Sequence, residues 1–260
     1  MIQQRGSSGG LIAALVLGAA VCAALITWGL VNAFASAASR TAQIHRSVAA
    51  SGDTMTVSLD SEDLTLAVSD DGRVHLDGRV SYRVQPPSVE IATSSSGLSV
   101  TVSCTGLVDD GCSGSLTLAV PAHVAVSAAT ASGNLTAASL DNLSLRSDSG
   151  DLRVSDAAGS LSLETLSGDI TGAGLSAAAV TADDDSGDVS LSFIAIPDQV
   201  SVQDASGDAT VLLPPGGPAY AVDARSLSGD SSIGVPTDPA SAHVISVTVD
   251  SGDVSVAPGA

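Results

Sequence analysis

The feature that most constrains this chain is a polar tripeptide, Ser-Gly-Asp, that begins at positions 51, 149, 167, 186, 206, 228 and 251. A catalytic motif normally occurs once per domain, whereas structural punctuation occurs once per repeating unit, so the count points to architecture. A variant, Ser132-Gly133-Asn134, opens the regular series. Its glycines, Gly133, Gly150, Gly168, Gly187, Gly207, Gly229 and Gly252, follow one another at steps of 17, 18, 19, 20, 22 and 23 residues. Each unit holds two alternating apolar segments. In SGDVSLSFIAIPDQVSVQDA these are Val189, Leu191 and Phe193, then Val200 and Val202, with a turn at Pro197-Asp198. The same grammar recurs in Leu152/Val154 with Leu161/Leu163, Val211/Leu213 with Tyr220/Val222, and Ile233/Val235 with Val247/Val249.

A two-strand unit cannot bury its own apolar face, but a stack of such units can, each rung adding one strand to each of two facing sheets. The expected fold is therefore all-β, a β-solenoid-like stack of two-strand repeats. The sheets would lie ~10 Å apart, a gap that Ala, Val and Leu fill better than large rings, and aromatic residues are only 2% of the chain. An antiparallel β-sandwich or meander with Ser-Gly-Asp at its hairpin turns is the alternative, because glycine serves such turns equally well. Within a rung, Gly supplies backbone freedom and the Ser and Asp side chains supply local hydrogen bonds at the chain's own corner.

Upstream of the repeats, TMTVSL, LTLAV, VHLDGRVSYRV, LSVTV and SLTLAVP alternate in the same way, so the β region is expected to start near residue 51. Residues 32–50 show little periodicity and read as a linker. Residues 11–31, LIAALVLGAAVCAALITWGLV, carry no charge, and 21 residues at ~1.5 Å each match a bilayer core, so one transmembrane helix is expected behind a tail at 1–10. Trp28 suits the interface, and Cys22 reads as filler within the apolar run. The competing reading is a signal peptide cut near Ala35 or Ala37, with the remainder secreted; the apolar run is longer than such segments usually are. Arg5 against Arg40 and Arg46 leaves orientation nearly balanced. Cys104 and Cys112, with turn formers between them, are spaced to close a disulfide across a hairpin. A disulfide persists in an oxidising compartment, which places residues 32–260 outside the cytoplasm. Zinc would need further ligands, and His75 and His123 lack a matching spacing.

The formal charge is −19, from 28 acids against nine arginines. Nucleic acid is thereby disfavoured as a partner, since phosphate binding needs a clustered basic surface. The four histidines, His45, His75, His123 and His243, keep no regular relation to the repeats, so the serines lack the base that a nucleophile needs. A calcium β-roll is also a poor match, because its motif recurs every nine residues with more glycine. Six acids, Asp151, Asp169, Asp188, Asp208, Asp230 and Asp253, would form a ridge if the rungs stack. Adjacent carboxylates would repel by roughly 1 kcal/mol in water, so either backbone N–H groups or Ca²⁺ must relieve them. The turn reading is preferred, since a calcium cage needs six to eight oxygens. Asp183-Asp184-Asp185 reads as a solvated charge run. Glu62, Glu90 and Glu164 are isolated in sequence, and with no lysine and few aromatics a carbohydrate-active enzyme is the weakest class.

LTLAVPAHVAVSAATASGNL (116–135), DSGDVSLSF (185–193), DASGDATVLLPPGG (204–217) and DSGDVSVAP (250–258) together resemble the bacterial putative-adhesin family, domain of unknown function 4097. The resemblance covers residues 51–260. It implies strand repeats behind one membrane helix, and some relatives are associated with envelope-stress systems. The family supplies no catalytic residue to carry over. Asn134, replacing Asp in the first repeat, suggests an end rung. The function expected is a non-enzymatic, membrane-anchored surface protein, an adhesin or envelope scaffold contacting an envelope protein or surface glycan. An accessory component of an envelope-stress sensing complex is the alternative.

Overall fold

The computed structural model describes residues 39–83, 85–95, 97–104 and 112–259. The expected tail, transmembrane helix, Cys22 and cleavage sites lie outside the described residues. Among the described residues no helix is long and apolar enough to cross a membrane.

The chain is all-β. It begins with β1 (Arg40–Ala49), then a first rung of β2 (Thr54–Leu59) and β3 (Glu62–Val68). Two further strands, β4 (Arg73–Tyr82) and β5 (Ser88–Thr93), lead to a rung of β6 (Gly97–Ser103) and β7 (Ser113–Val120). Next come β8 (Ala125–Thr130) with β9 (Leu135–Ala138), and β10 (Asp141–Ser147) with β11 (Leu152–Ser155). The long β13 (Ile170–Asp184) serves both sheets: its first part pairs with β11, and its second with β12 (Ala158–Thr165). The remaining rungs are completed by β14 (Val189–Phe193), β15 (Gln199–Ser206) with β16 (Ala209–Leu213), β17 (Ala221–Ser228) with β18 (Ser231–Ile233), and β19 (Val244–Ser251) with β20 (Val254–Pro258).

Every pairing within the stack is parallel, which settles the fold in favour of the solenoid over the sandwich. Antiparallel pairing occurs where β4 lies on β7 and β5 on β6, closing one end. The alternation sets the core: Leu152 and Val154, Val189 and Leu191, and Val200 and Val202 point inward and are buried, as expected. All these side chains belong to one continuous apolar core, with Phe193 and Tyr220 as its buried aromatics.

Two expectations about the layout need correction, and the rung order is a further finding. The segment read as a linker contains β1, which pairs with β4. Only Ile44 of β1 is buried, so an edge strand with a single inward residue leaves no period-two signal. The rungs are also not stacked in chain order. β19 pairs with both β15 and β17, and β20 with both β16 and β18, so the last rung is inserted between its two predecessors. The physical reason lies in the side chains. Ile245, Val247, Val249, Val254 and Val256 are all buried, whereas the displaced rung offers Val222, Ala224, Ser226 and a half-exposed Ile233. The more apolar rung takes the interior place and the more polar one caps the end. A similar exchange occurs upstream, where β2 sits between β6 and β8 and β3 between β7 and β9. Asn134 therefore marks no end rung, since β8 and β9 are covered on both sides.

Candidate functional site

From β8 onward each rung passes from the first sheet to the second through a Ser-Gly-Asp corner, Ser-Gly-Asn in the first case, and these corners lie over one another. The Gly150 N–H donates to the Ser167 carbonyl, Gly168 to Ser186, Gly187 to Ser206, Gly207 to Ser251 and Gly252 to Ser228. The approach is so close that a methyl group on Gly150, Gly168, Gly187, Gly207, Gly252 or Gly229 would collide with the carbonyl oxygen of the neighbouring glycine. Gly187 also has φ +153°, a conformation that L side chains rarely adopt. The repeat glycines are thus required by stacking as well as by turning.

The acids form a second column outside the first. Asp151 Oδ1 accepts the Asp169 N–H at 3.1 Å, Asp169 that of Asp188 at 3.1 Å, and Asp188 that of Asp208 at 2.9 Å. The series continues through the exchanged rungs, Asp208 accepting from Asp253 and Asp253 from Asp230, both at 2.8 Å. The six residues read as a possible cation ridge are therefore brought together, but the expected relief at each residue's own corner is replaced by one between rungs. A carboxylate that accepts the amide of the next rung is stabilised by a charge-assisted bond worth ~1.5–3 kcal/mol, which outweighs the ~1 kcal/mol repulsion in water. The bond from Asp169, followed by Arg153, holds the Asp151 carboxyl below its ordinary value. Asn134 keeps the pattern with its amide oxygen, accepting the Asp151 N–H at 2.9 Å.

The ladder starts at a residue the tripeptide search misses. Asp63 Oδ1 accepts the Asn134 N–H at 2.9 Å, so Ser61-Glu62-Asp63 is the first corner, with glutamate at the glycine position. A methyl group on Gly133 would strike the Glu62 carbonyl. The signal in sequence was Ser-x-Asp followed by the alternating LTLAV. Conversely, Ser51-Gly52-Asp53 is not a member: it leads into β2 of the first sheet, and the Asp53 carbonyl takes the Ala125 N–H.

Glutamate fits at position 62 because the adjoining corner is built differently. Cys104 and Cys112 form the expected disulfide, with Cα atoms 5.9 Å apart, but between the ends of β6 and β7, which lie in different sheets, rather than across a hairpin. The fully buried Glu62 carboxyl lies against it, Oε1 3.4 Å from Cys104 Sγ, and Oε2 accepts the Ser61 N–H at 3.1 Å. Burial raises this carboxyl above its ordinary value. Glu62 and the two sulfurs are close enough for a metal group, but the sulfurs are joined to one another and offer no thiolates. The other glutamates are elsewhere: Glu90 on β5, and Glu164 on β12, ion-paired with Arg146.

The histidines sit away from the Ser-Gly-Asp column. His45 contacts Asp77 at 2.7 Å, His75 contacts Asp71 at 2.9 Å, His123 lies in the turn before β8, and His243 contacts the Pro197 carbonyl at 3.0 Å. The charge run Asp183-Asp184-Asp185 is only partly solvated, for Asp184 is buried. Its neighbours line an open groove of about 470 Å³ with Glu164, Gln203, Asp204, Thr248 and Asp250.

A stack of parallel two-strand rungs, fastened at one corner by glycine and aspartate columns, defines a β-solenoid class of protein. The Toastrack DUF4097 family model matches residues 38–257, and the chain belongs to this family. Among solved structures, a putative adhesin from Bacteroides fragilis is 16% identical, with 83% of this chain and 97% of that one covered and a TM-score of 0.43. A putative adhesin from Parabacteroides merdae is 16% identical over 84% and 95%, with a TM-score of 0.41. A putative cell adhesion protein from Clostridium sporogenes is 12% identical over 85% and 100%, with a TM-score of 0.37. A search of curated proteins finds no match.

Proposed function

We propose that the chain is a non-enzymatic surface scaffold, anchored by residues 11–31 in the cell membrane, which holds its solenoid outside the cytoplasm to contact an envelope protein or surface glycan. The observation that carries this reading is the outer face of the second sheet. Thr117, Thr65, Thr136, Arg153, Thr171, Ser190, Thr210, Ser255 and Ser232 follow one another in register across nine strands. At ~4.8 Å per strand the row runs ~38 Å. Beside it lie small side chains, among them Ala67, Ala119, Ala138, Ser155 and Ala173. A long, even, hydroxyl-bearing face suits repeated shallow contacts along an extended partner better than enclosure of one small molecule. The disulfide supports the extracytoplasmic placement, because such bonds are rare in reducing compartments.

Binding of the purified chain to intact cells, glycan and envelope fractions tests the reading. Substituting Thr171, Ser190 and Thr210 by lysine is expected to abolish binding, while Ser144→Lys and Ser162→Lys on the other sheet leave it intact. If the chain binds none of these surfaces, yet the full-length protein captures a membrane partner from detergent, the accessory-sensor role replaces the scaffold. The reading assigns no cofactor, and an unchanged thermal midpoint in millimolar calcium is the matching expectation for the aspartate ladder.

A further inference from the structure

Inside the glycine column runs a third column, formed by the residue two positions before each Ser-Gly-Asp. The strand registers place Thr130, Ser147, Thr165, Asp184, Asp204, Val249 and Ser226 side by side in that order. Three of the four hydroxyl members act as donors, Ser226 Oγ reaching the Gly252 carbonyl at 2.7 Å, while Thr130 Oγ1 is buried without a partner. Ser147 Oγ donates to the Gly133 carbonyl at 3.1 Å and Thr165 Oγ1 to the Gly150 carbonyl at 3.3 Å, each reaching the glycine one rung back.

Asp184 and Asp204 stand where a hydroxyl stands in these rungs. Each uses Oδ1 to accept the N–H two residues on, from Ser186 at 3.0 Å and Ser206 at 2.8 Å. Each leaves Oδ2 buried with no hydrogen-bond partner, although both residues are only 4% exposed. The position of these oxygens is that of the hydroxyls. Asp184 Oδ2 lies 2.9 Å from the point a Cβ on Gly187 would occupy, and Asp204 Oδ2 lies 3.1 Å from that point on Gly207. The corresponding distance for Ser147 Oγ at Gly150 is 3.0 Å. At each of these points the nearest atom is the carbonyl oxygen of the preceding glycine, Gly168 and Gly187 for the two acids. A bare carboxylate facing a carbonyl oxygen is repelled, and a carboxylic acid there is a donor.

We propose that Asp184 and Asp204 are carried as carboxylic acids, their Oδ2 protons donated to the Gly168 and Gly187 carbonyls, so that ionisation of this pair loosens the middle of the stack. The charges around them act in the same direction. Asp184 and Asp204 are in-register neighbours, Asp169 faces Asp184, and Asp188, Asp208 and Asp250 face Asp204. Glu164, Asp183 and Asp185 line the same groove, whose walls include no arginine or histidine among the described residues. Thr165 and Val249, on the flanking strands, carry no charge. Desolvation, then this acidic surround, raises both carboxyls, Asp184 to about 6. An acid whose folded value lies above its unfolded one contributes stability that is complete below the unfolded value, 3.8 here, and is lost as pH rises through about 6.

The test is thermal melting of the full chain in detergent between pH 5 and 7.5, for the wild type and for Asp184→Thr/Asp204→Thr. The wild-type midpoint is expected to fall by several degrees over this range. The double variant, which restores the donors seen at Thr165, is expected to lose most of that slope and to melt above the wild type at pH 7.5. Contributions from groups remote from the pair are common to both proteins and cancel in the difference. Equal slopes, or a double variant that melts lower at pH 7.5, overturn the proposal. Carboxyl ¹³C shifts of the wild type give a check that needs no variant: both resonances titrating below pH 5 would also overturn it.

Discussion

The two corners of each rung obey different rules. At the Ser-Gly-Asp corner four residues always separate the last inward residue of one strand from the first of the next, as in Ser147 to Leu152, Asp184 to Val189 and Val249 to Val254. The opposite corner varies freely. It is absorbed within β13 in one rung, passes through Pro214-Pro215-Gly216-Gly217 in another, and spans 234–243 in a third. The lengthening of the repeat is confined to this side. The difference follows from what the corners touch: one packs backbone against backbone through glycine in rung after rung, while the other is bonded between rungs only in places, as where Asp141 and Asn142 accept the Ala158 and Ser160 N–H groups, and a methyl group on Gly216 would meet nothing within 4 Å. Uniformity is imposed where successive rungs are all fastened through glycine, and length drifts where only some rungs are bonded.

The sharpest way to break this contrast is a methyl group at each corner. Gly187→Ala meets both the Gly168 carbonyl and an unfavourable φ, and should cost roughly 2–5 kcal/mol in chemical denaturation. Gly216→Ala, whose φ is +72° in open space, should cost roughly 1–2 kcal/mol. Equal losses would mean that turning, rather than stacking, selects the repeat glycines. Next in size is the corner that replaces glycine with a disulfide. Cys104→Ser with Cys112→Ser should lower stability by about 2.5 kcal/mol through the freed loop, with the central rungs keeping their hydrogen-exchange protection.

Asp151 in the outer column and the Asp184/Asp204 pair in the inner one give opposite pH limbs. Asp151 has a folded value below its ordinary 3.8, so its stabilisation is present above that value and declines as pH falls through the folded one. A melting profile should therefore drop on acidification below about pH 4, and Asp151→Asn, with an acceptor that does not titrate, should flatten that drop.

Much of this organisation is legible in the residues. Alternation identifies Val189, Leu191 and Phe193 as inward, and the spacing of Cys104 and Cys112 identifies the disulfide. Rung order is not carried by the repeat motif, since Ser228-Gly229-Asp230 and Ser251-Gly252-Asp253 are the same three letters. It is carried by how apolar each rung is, a comparison that places 244–258 inside 221–233. Strands β1 and β5 escape notice for the same reason as one another: each lies at a sheet edge and buries little. Glu62 hides the first corner because glutamate replaces the glycine that defines the motif, and only the neighbouring disulfide corner makes room for it. Asp184 looks like one more charge in a run until the register sets it beside Thr165.

The central claim is that each ladder acid holds the backbone of the next rung rather than its own. Amide hydrogen exchange at Asp208 reads this directly, because its N–H is accepted by Asp188 Oδ1 at 2.9 Å. Asp188→Asn keeps an acceptor, as Asn134 does naturally, and should retain protection of the Asp208 amide with stability nearly unchanged. Asp188→Ala should lose that protection and roughly 1–3 kcal/mol with it. Equal protection of the Asp208 amide in the wild type, the asparagine variant and the alanine variant would contradict the account.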